Sequence, residues 1–137
     1  MSSDATVSSG GEHRTTALVL DDDLLLGWAL QRQLAACGHP AHAVQTRAAA
    51  AEKLRVRTFE LVFLDVHLPD GCGIDLLPLV RATSPRAQVV VMSADASEEE
   101  LARARADGAL FVEKPFDVAA VVRLVAQLAA PGGSSRP

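Results

Sequence analysis

Apolar residues in this chain fall into two alternating kinds of stretch. Short, nearly continuous runs occupy residues 17–20, 41–44, 61–64, 89–92 and 110–112. Each has the length of a strand, and four of them are continuous enough for strands covered on both faces. The run at 41–44 carries His42 in its interior and suits an edge strand. Longer stretches of helical character lie between the runs. Residues 24–36 place Leu26, Leu30 and Leu34 four apart, with Gly38 as a stop. Residues 47–56 are alanine-rich and favour helix by propensity. A third helix, over 74–82, follows a glycine-rich loop and tolerates Pro78 only in its first turn. Ser97 and Glu100 have the spacing of a capping box ahead of a helix over 98–106. Asp117 is an N-cap for a helix over 118–129.

Strands that alternate with helices imply a parallel sheet joined by right-handed crossovers, with helices on both faces. The expected fold is α/β and doubly wound, a five-stranded sheet in one domain. The ends of the chain break the pattern. Residues 1–15 are rich in Ser, Gly and Thr without periodicity, and 131–137 read PGGSSRP. The expectation is a flexible N-terminal tail over 1–15, a folded unit over 16–130, and a flexible tail or linker stub over 131–137.

Composition narrows the function classes. A length of 137 residues leaves room for one domain. Thirteen Lys+Arg against seventeen Asp+Glu give a net charge of −4, which disfavours direct nucleic-acid binding. No apolar run approaches the roughly 20 residues needed to span a bilayer, and the polar start lacks a signal-peptide core. Cys37 and Cys72 are too few for a disulfide framework, so a cytoplasmic protein is expected. Lys53 and Lys114 are the only lysines in a chain that otherwise uses arginine. Each therefore raises the question of whether a compact ammonium was needed.

In an open parallel sheet, ligands bind beyond the carboxyl ends of the strands, where the strand order reverses. The residues that follow the apolar runs are therefore informative. The first run leads into Asp21-Asp22-Asp23, the third into Asp65, the fourth into Ser93 and the fifth into Glu113-Lys114-Pro115. A strand order of 2-1-3-4-5 would bring Asp21, Asp22 and Asp65 to one rim. Carboxylates gathered so closely repel one another unless a cation lies among them. Oxygen donors without a His or Cys cluster favour a hard ion, and Mg²⁺ suits a shallow site of few carboxylates. The Ser93 hydroxyl and the Lys114 ammonium suit phosphoryl oxygens. Each residue alone has a plain structural explanation as a turn former, cap or surface group; their coincidence at four of five strand ends points to Mg²⁺ and phosphate.

The segments LVLDDD, FLDVHLPDGCG, VVMSA and FVEKPF resemble, in order and spacing, the motifs of the receiver domains of two-component response regulators, the CheY-like family. The resemblance spans roughly residues 16–129. It implies a flavodoxin-like fold and a phosphoacceptor role for Asp65, with a sensor histidine kinase or histidine phosphotransfer protein as donor. It also implies direct Mg²⁺ ligation by Asp22 and Asp65, a water-mediated contribution from Asp21, and a further ligand in the backbone carbonyl of His67. Ser93 and Lys114 would hold the phosphoryl oxygens, and Phe111 would be the switch aromatic. The Lys114-Pro115 bond is one that family members often hold cis. The output implied is a changed surface for a downstream protein partner or effector domain, and a dimer formed on phosphorylation is compatible with it. No membrane or direct nucleic-acid partner is implied.

Ser93 stands where Thr is frequent, and Phe111 lacks the hydroxyl of a Tyr. His67 and Asp95 flank the site by position and are candidates for tuning hydrolysis. Cys37, His39 and His42 have weak metal-like spacing, interrupted by Pro40. Trp28 suits core or a partner surface, and the mixed charges of residues 98–105 suit an output surface or a solvated face. Two other readings compete. One is a Mg²⁺-dependent phosphatase of the haloacid-dehalogenase type, with Asp21 as nucleophile and Asp23 as acid/base. It lacks the hydroxyl residue expected soon after that pair. The other is a receiver-like binding module that signals without phosphorylation.

Overall fold

The computed structural model describes residues 16–129, so the two expected tails lie outside the described residues. Strands β1 (Ala17–Leu20), β2 (Ala41–Val44), β3 (Leu61–Asp65), β4 (Gln88–Ser93) and β5 (Leu110–Glu113) form one sheet. Every neighbouring pair is parallel, in the order β2-β1-β3-β4-β5. Helices α1 (Leu24–Ala36), α2 (Arg47–Val56), α3 (Leu77–Thr83), α4 (Glu98–Asp107) and α5 (Val118–Ala129) alternate with them. The doubly wound order expected from the sequence is the one observed.

Side-chain alternation along the strands divides the core in two. Leu18, Leu20, Val62, Leu64, Val89 and Val91 face α2, α3 and Ala104 of α4. Ala17, Val19, Leu61, Phe63, Val90 and Met92 face Leu30 and Leu34 of α1 and Val122 and Val125 of α5. β1 and β3 are buried throughout, as continuous apolar runs require. β2 is half-buried along its length, in keeping with an edge. β5 is the opposite edge, as the order 2-1-3-4-5 requires, but Leu110, Phe111 and Val112 are only half-buried instead of covered on both faces. An apolar run reports helices above and below a strand, and is blind to whether another strand lies beside it.

The third helix also differs in detail. A 3₁₀ turn at Gly73–Leu76 precedes α3, whose start at Leu77 puts Pro78 in the first turn, where its missing N–H costs nothing. A two-residue hairpin, unanticipated in the sequence, pairs His67–Leu68 with Gly71–Cys72. Ser97 and Glu100 close the expected capping box on α4. Asp117 Oδ1 accepts from Ala120 N–H at 3.1 Å. Among the described residues, no helix is long and apolar enough to cross a membrane.

Candidate functional site

The chain leaves β1 at Asp21, and the neighbouring β3 ends at Asp65, so adjacent strands deliver both carboxylates to one rim. Asp21 and Asp65 are 1% and 4% exposed, whereas Asp22 faces solvent. Oxygens of the three side chains lie within 4.8 Å of one another. Asp21 Oδ1 accepts the Asp23 N–H at 2.8 Å. Asp23 in turn caps α1, its Oδ1 accepting from Leu25 N–H at 3.0 Å and Leu26 N–H at 3.2 Å. The acidic triplet is thus divided between a buried anion, an exposed one and a helix cap.

Lys114 reaches this rim from the end of β5. Its N–H donates to the Ser93 carbonyl at 2.9 Å, tying the ends of β4 and β5, and the Lys114–Pro115 bond is cis. Its Nζ lies 2.7 Å from Asp21 Oδ2 and 3.3 Å from Asp65 Oδ1. The ammonium is the ion-pair partner of the buried Asp21 Oδ2. Ser93, also buried, turns its Oγ toward its own loop and accepts from Asp95 N–H at 3.1 Å. Phe111 is half-buried against the core on the α2–α4 side. His67 opens the hairpin after Asp65, and its Nε2 lies 3.2 Å from Asp95 Oδ1 in the loop after β4. A cavity of about 340 Å³, lined by Leu26, Ala94, Pro115 and Phe116, adjoins Asp23 and Lys114.

The charges are out of balance. Burial, and then the Asp21 charge, push the Asp65 carboxyl up to about 6, although Lys114 pulls the other way. Burial opposes the Lys114 charge, yet Asp21 and Asp65 outweigh it and hold the ammonium above its ordinary value. Three carboxylates gather here beside one ammonium, which pairs with Asp21 and Asp65. Such a set accommodates one more cation, and its all-oxygen donors fit a hard divalent ion.

Gly73, unremarked as a site residue in the sequence, is fixed by the same loop. Its N–H donates to the Val66 carbonyl at 2.9 Å, and a Cβ there would collide with the Asp65 carbonyl oxygen. Asp70 was also missed; its carboxylate accepts from the N–H groups of Arg47 at 3.0 Å and Ala48 at 3.2 Å. The only local signal for either is the turn-forming Asp70-Gly71-Cys72-Gly73 stretch. Among the described residues, Cys37, His39 and His42 do not converge as metal ligands; His42 Nε2 instead faces the Arg57 guanidinium at 3.2 Å. The phosphatase reading loses its parts: Asp23 is engaged as a helix cap and Asp21 is held against Lys114.

A family model described as the response regulator receiver domain matches residues 17–126. The chain is 35% identical over 111 residues to the response regulator protein FleR of Pseudomonas aeruginosa, covering 80% of this chain and 24% of that one. It is 31% identical over 108 residues to the DNA-binding transcriptional regulator NtrC of Escherichia coli (strain K12), covering 78% and 23%. The chain therefore spans about a quarter of the length of these relatives. The fold resembles a CheY-like receiver domain protein from Methanospirillum hungatei, with a TM-score of 0.78, 22% identity, and 84% and 93% of the two chains covered. A response regulator from Burkholderia pseudomallei, solved with a phosphorylated aspartic acid, a calcium ion and citrate, gives a TM-score of 0.74 at 24% identity, covering 88% and 71%.

Proposed function

The chain belongs to the response regulator receiver family, and from that premise we propose that it takes a phosphoryl group onto Asp65. The observation that carries this reading is the setting of Asp65: buried, its carboxyl raised to about 6, with Asp21 and Asp22 on one side and Lys114 Nζ at 3.3 Å. The donor is a phosphohistidine of a sensor kinase or phosphotransfer protein. A carboxylate oxygen of Asp65 attacks phosphorus in line as the phosphorus–nitrogen bond breaks, and the bonding pair stays with the donor imidazole. Lys114 holds one phosphoryl oxygen by charge. Ser93 Oγ turns from the Asp95 N–H to donate to another, and Phe111 moves into the space released. Asp21, Asp22, Asp65 and the His67 carbonyl would hold Mg²⁺, which when bound supplies further positive charge for the phosphoryl oxygens.

The product is an acyl phosphate, so the mark is hydrolysable and the signal timed. The protein is a signalling domain and turns over only its own phosphate. Residues 16–130 form the responsive unit, a reading supported by the family match over 17–126. Its output is a surface for a protein partner or effector domain, in the cytoplasm where the kinase has ATP. Acetyl phosphate with Mg²⁺ is expected to label the protein stoichiometrically, as read by intact mass, and Asp65→Asn to abolish the label. Continuous release of phosphate from phosphomonoesters that survives Asp65→Asn would overturn the reading.

A further inference from the structure

α4 is held differently from the other helices. It buries one residue, Ala104, whereas each of the others buries at least two. Charge does much of the fastening instead. In its last turn Asp107 takes the fork of Arg81, Nε at 3.0 Å and Nη2 at 2.8 Å. Arg81 is itself fixed by the carbonyls of Pro85 at 3.2 Å and Ala87 at 2.8 Å. One turn earlier, Arg103 Nη2 donates to Asp75 Oδ1 at 2.8 Å. The first tie is two-pronged and mostly buried. The second is single, with side chains 44% and 49% exposed, and is the one that gives way more readily.

Asp75 is mounted on the acceptor loop. It lies in the 3₁₀ turn that begins at Gly73, the residue pressed against the Asp65 carbonyl. Its other oxygen, Oδ2, lies 3.3 Å from Arg47 Nη1. The Arg47 guanidinium fills the space a Cβ on Gly71 would need, and Asp70 grips the start of α2 from the same loop. The segment after Asp65 is thus stapled to α2, and it presents one carboxylate oxygen to α4.

We propose that the Asp75–Arg103 pair is a latch that fastens α4 to the acceptor loop in the resting arrangement and is released when Asp65 is modified. The proposal rests on the phosphoacceptor reading of Asp65. A displacement of α4 relative to the loop stretches the Asp75–Arg103 contact first, with Arg81–Asp107 as the pivot. A contact made in one arrangement only biases the equilibrium toward it, and opposes any ligand that favours the other. This route from Asp65 to α4 runs through Gly73 and Asp75, apart from Ser93 and Phe111.

Beryllofluoride with Mg²⁺, titrated into isotope-labelled protein and followed by NMR, tests the latch. Arg103→Ala and Asp75→Asn are each expected to tighten binding about three-fold, and adding Arg103→Ala to Asp75→Asn to tighten it no further, because the Asp75–Arg103 contact is already lost there. Asp75→Asn also gives up the pair with Arg47, which Arg103→Ala leaves in place. Hydrogen exchange of α4 amides is expected to quicken in these variants while that of β1 and β3 stays unchanged, which also shows that they fold. Arg105→Ala removes the same charge from the same helix and should leave affinity at the wild-type value. Unchanged or weakened binding in Arg103→Ala and Asp75→Asn, or equal tightening in Arg105→Ala, overturns the latch alone. A wild-type protein that does not bind beryllofluoride at all overturns the phosphoacceptor reading, and the latch with it.

Discussion

α1 and α4 both begin at the rim of the site, one just after Asp21 and the other just after the Ser93 loop, yet they are secured by opposite means. α1 buries Gly27, Leu30 and Leu34 and packs along α5. α4 buries Ala104 and leans on ion pairs to Asp75 and Arg81. Burying a leucine stabilises by about 1.5–3 kcal/mol, whereas an exposed ion pair contributes about 1 kcal/mol or less. The carboxylate half of the site therefore stands beside a fixed frame, and the hydroxyl half beside a helix that can move at small cost. A domain that must hold a reacting group still while altering a surface needs both.

The contrast can be broken most forcefully from the α1 side. Leu34→Ala is expected to cost about 3 kcal/mol of global stability, read as a lower midpoint in chemical denaturation. Arg81→Ala, which strips a mostly buried Asp107 of its partner, should cost about 2 kcal/mol. A loss in Arg81→Ala as large as in Leu34→Ala would mean that α4 is no more loosely held than α1.

A third prediction concerns the site between the two helices, without divalent metal. Below the ordinary value of 3.8, Asp65 is protonated whether the chain is folded or not. Between 3.8 and about 6 the folded protein keeps a proton that the unfolded chain has released. Stability is therefore expected to fall as pH rises through about 6, by about 1–2 kcal/mol relative to Asp65→Asn. Thermal melts of the two proteins across that window check it; parallel curves would remove the raised carboxyl. The smallest effect is expected from Ser97→Ala, which opens the capping box of α4 for about 1 kcal/mol. Hydrogen exchange should show the loss confined to α4, since little of the core depends on that helix.

Much of this could be read from the sequence because strand ends are local. Asp21, Asp65, Ser93 and Lys114 each follow an apolar run, and the parallel order brings those ends together. The caps at Ser97 and Asp117 were equally legible, since each acts within three residues of its own position. The half-burial of β5 was hidden, because an apolar run does not say how fully an edge strand is covered. The ties of α4 were hidden for another reason. Arg103 finds Asp75 across 28 residues and Arg81 finds Asp107 across 26, and no periodicity announces a partner so distant. Mixed charge along residues 98–105 could equally have been a solvated face.

The chain contains one tryptophan and no tyrosine, and Trp28 lies exposed on α1 with the Arg32 guanidinium 5.0 Å from its ring centre. Its ultraviolet emission therefore comes from a single chromophore seated on the fixed side of the molecule. Light from that indole is a built-in optical reporter of the exposed face of α1 and of its Arg32 neighbour, and needs no attached dye.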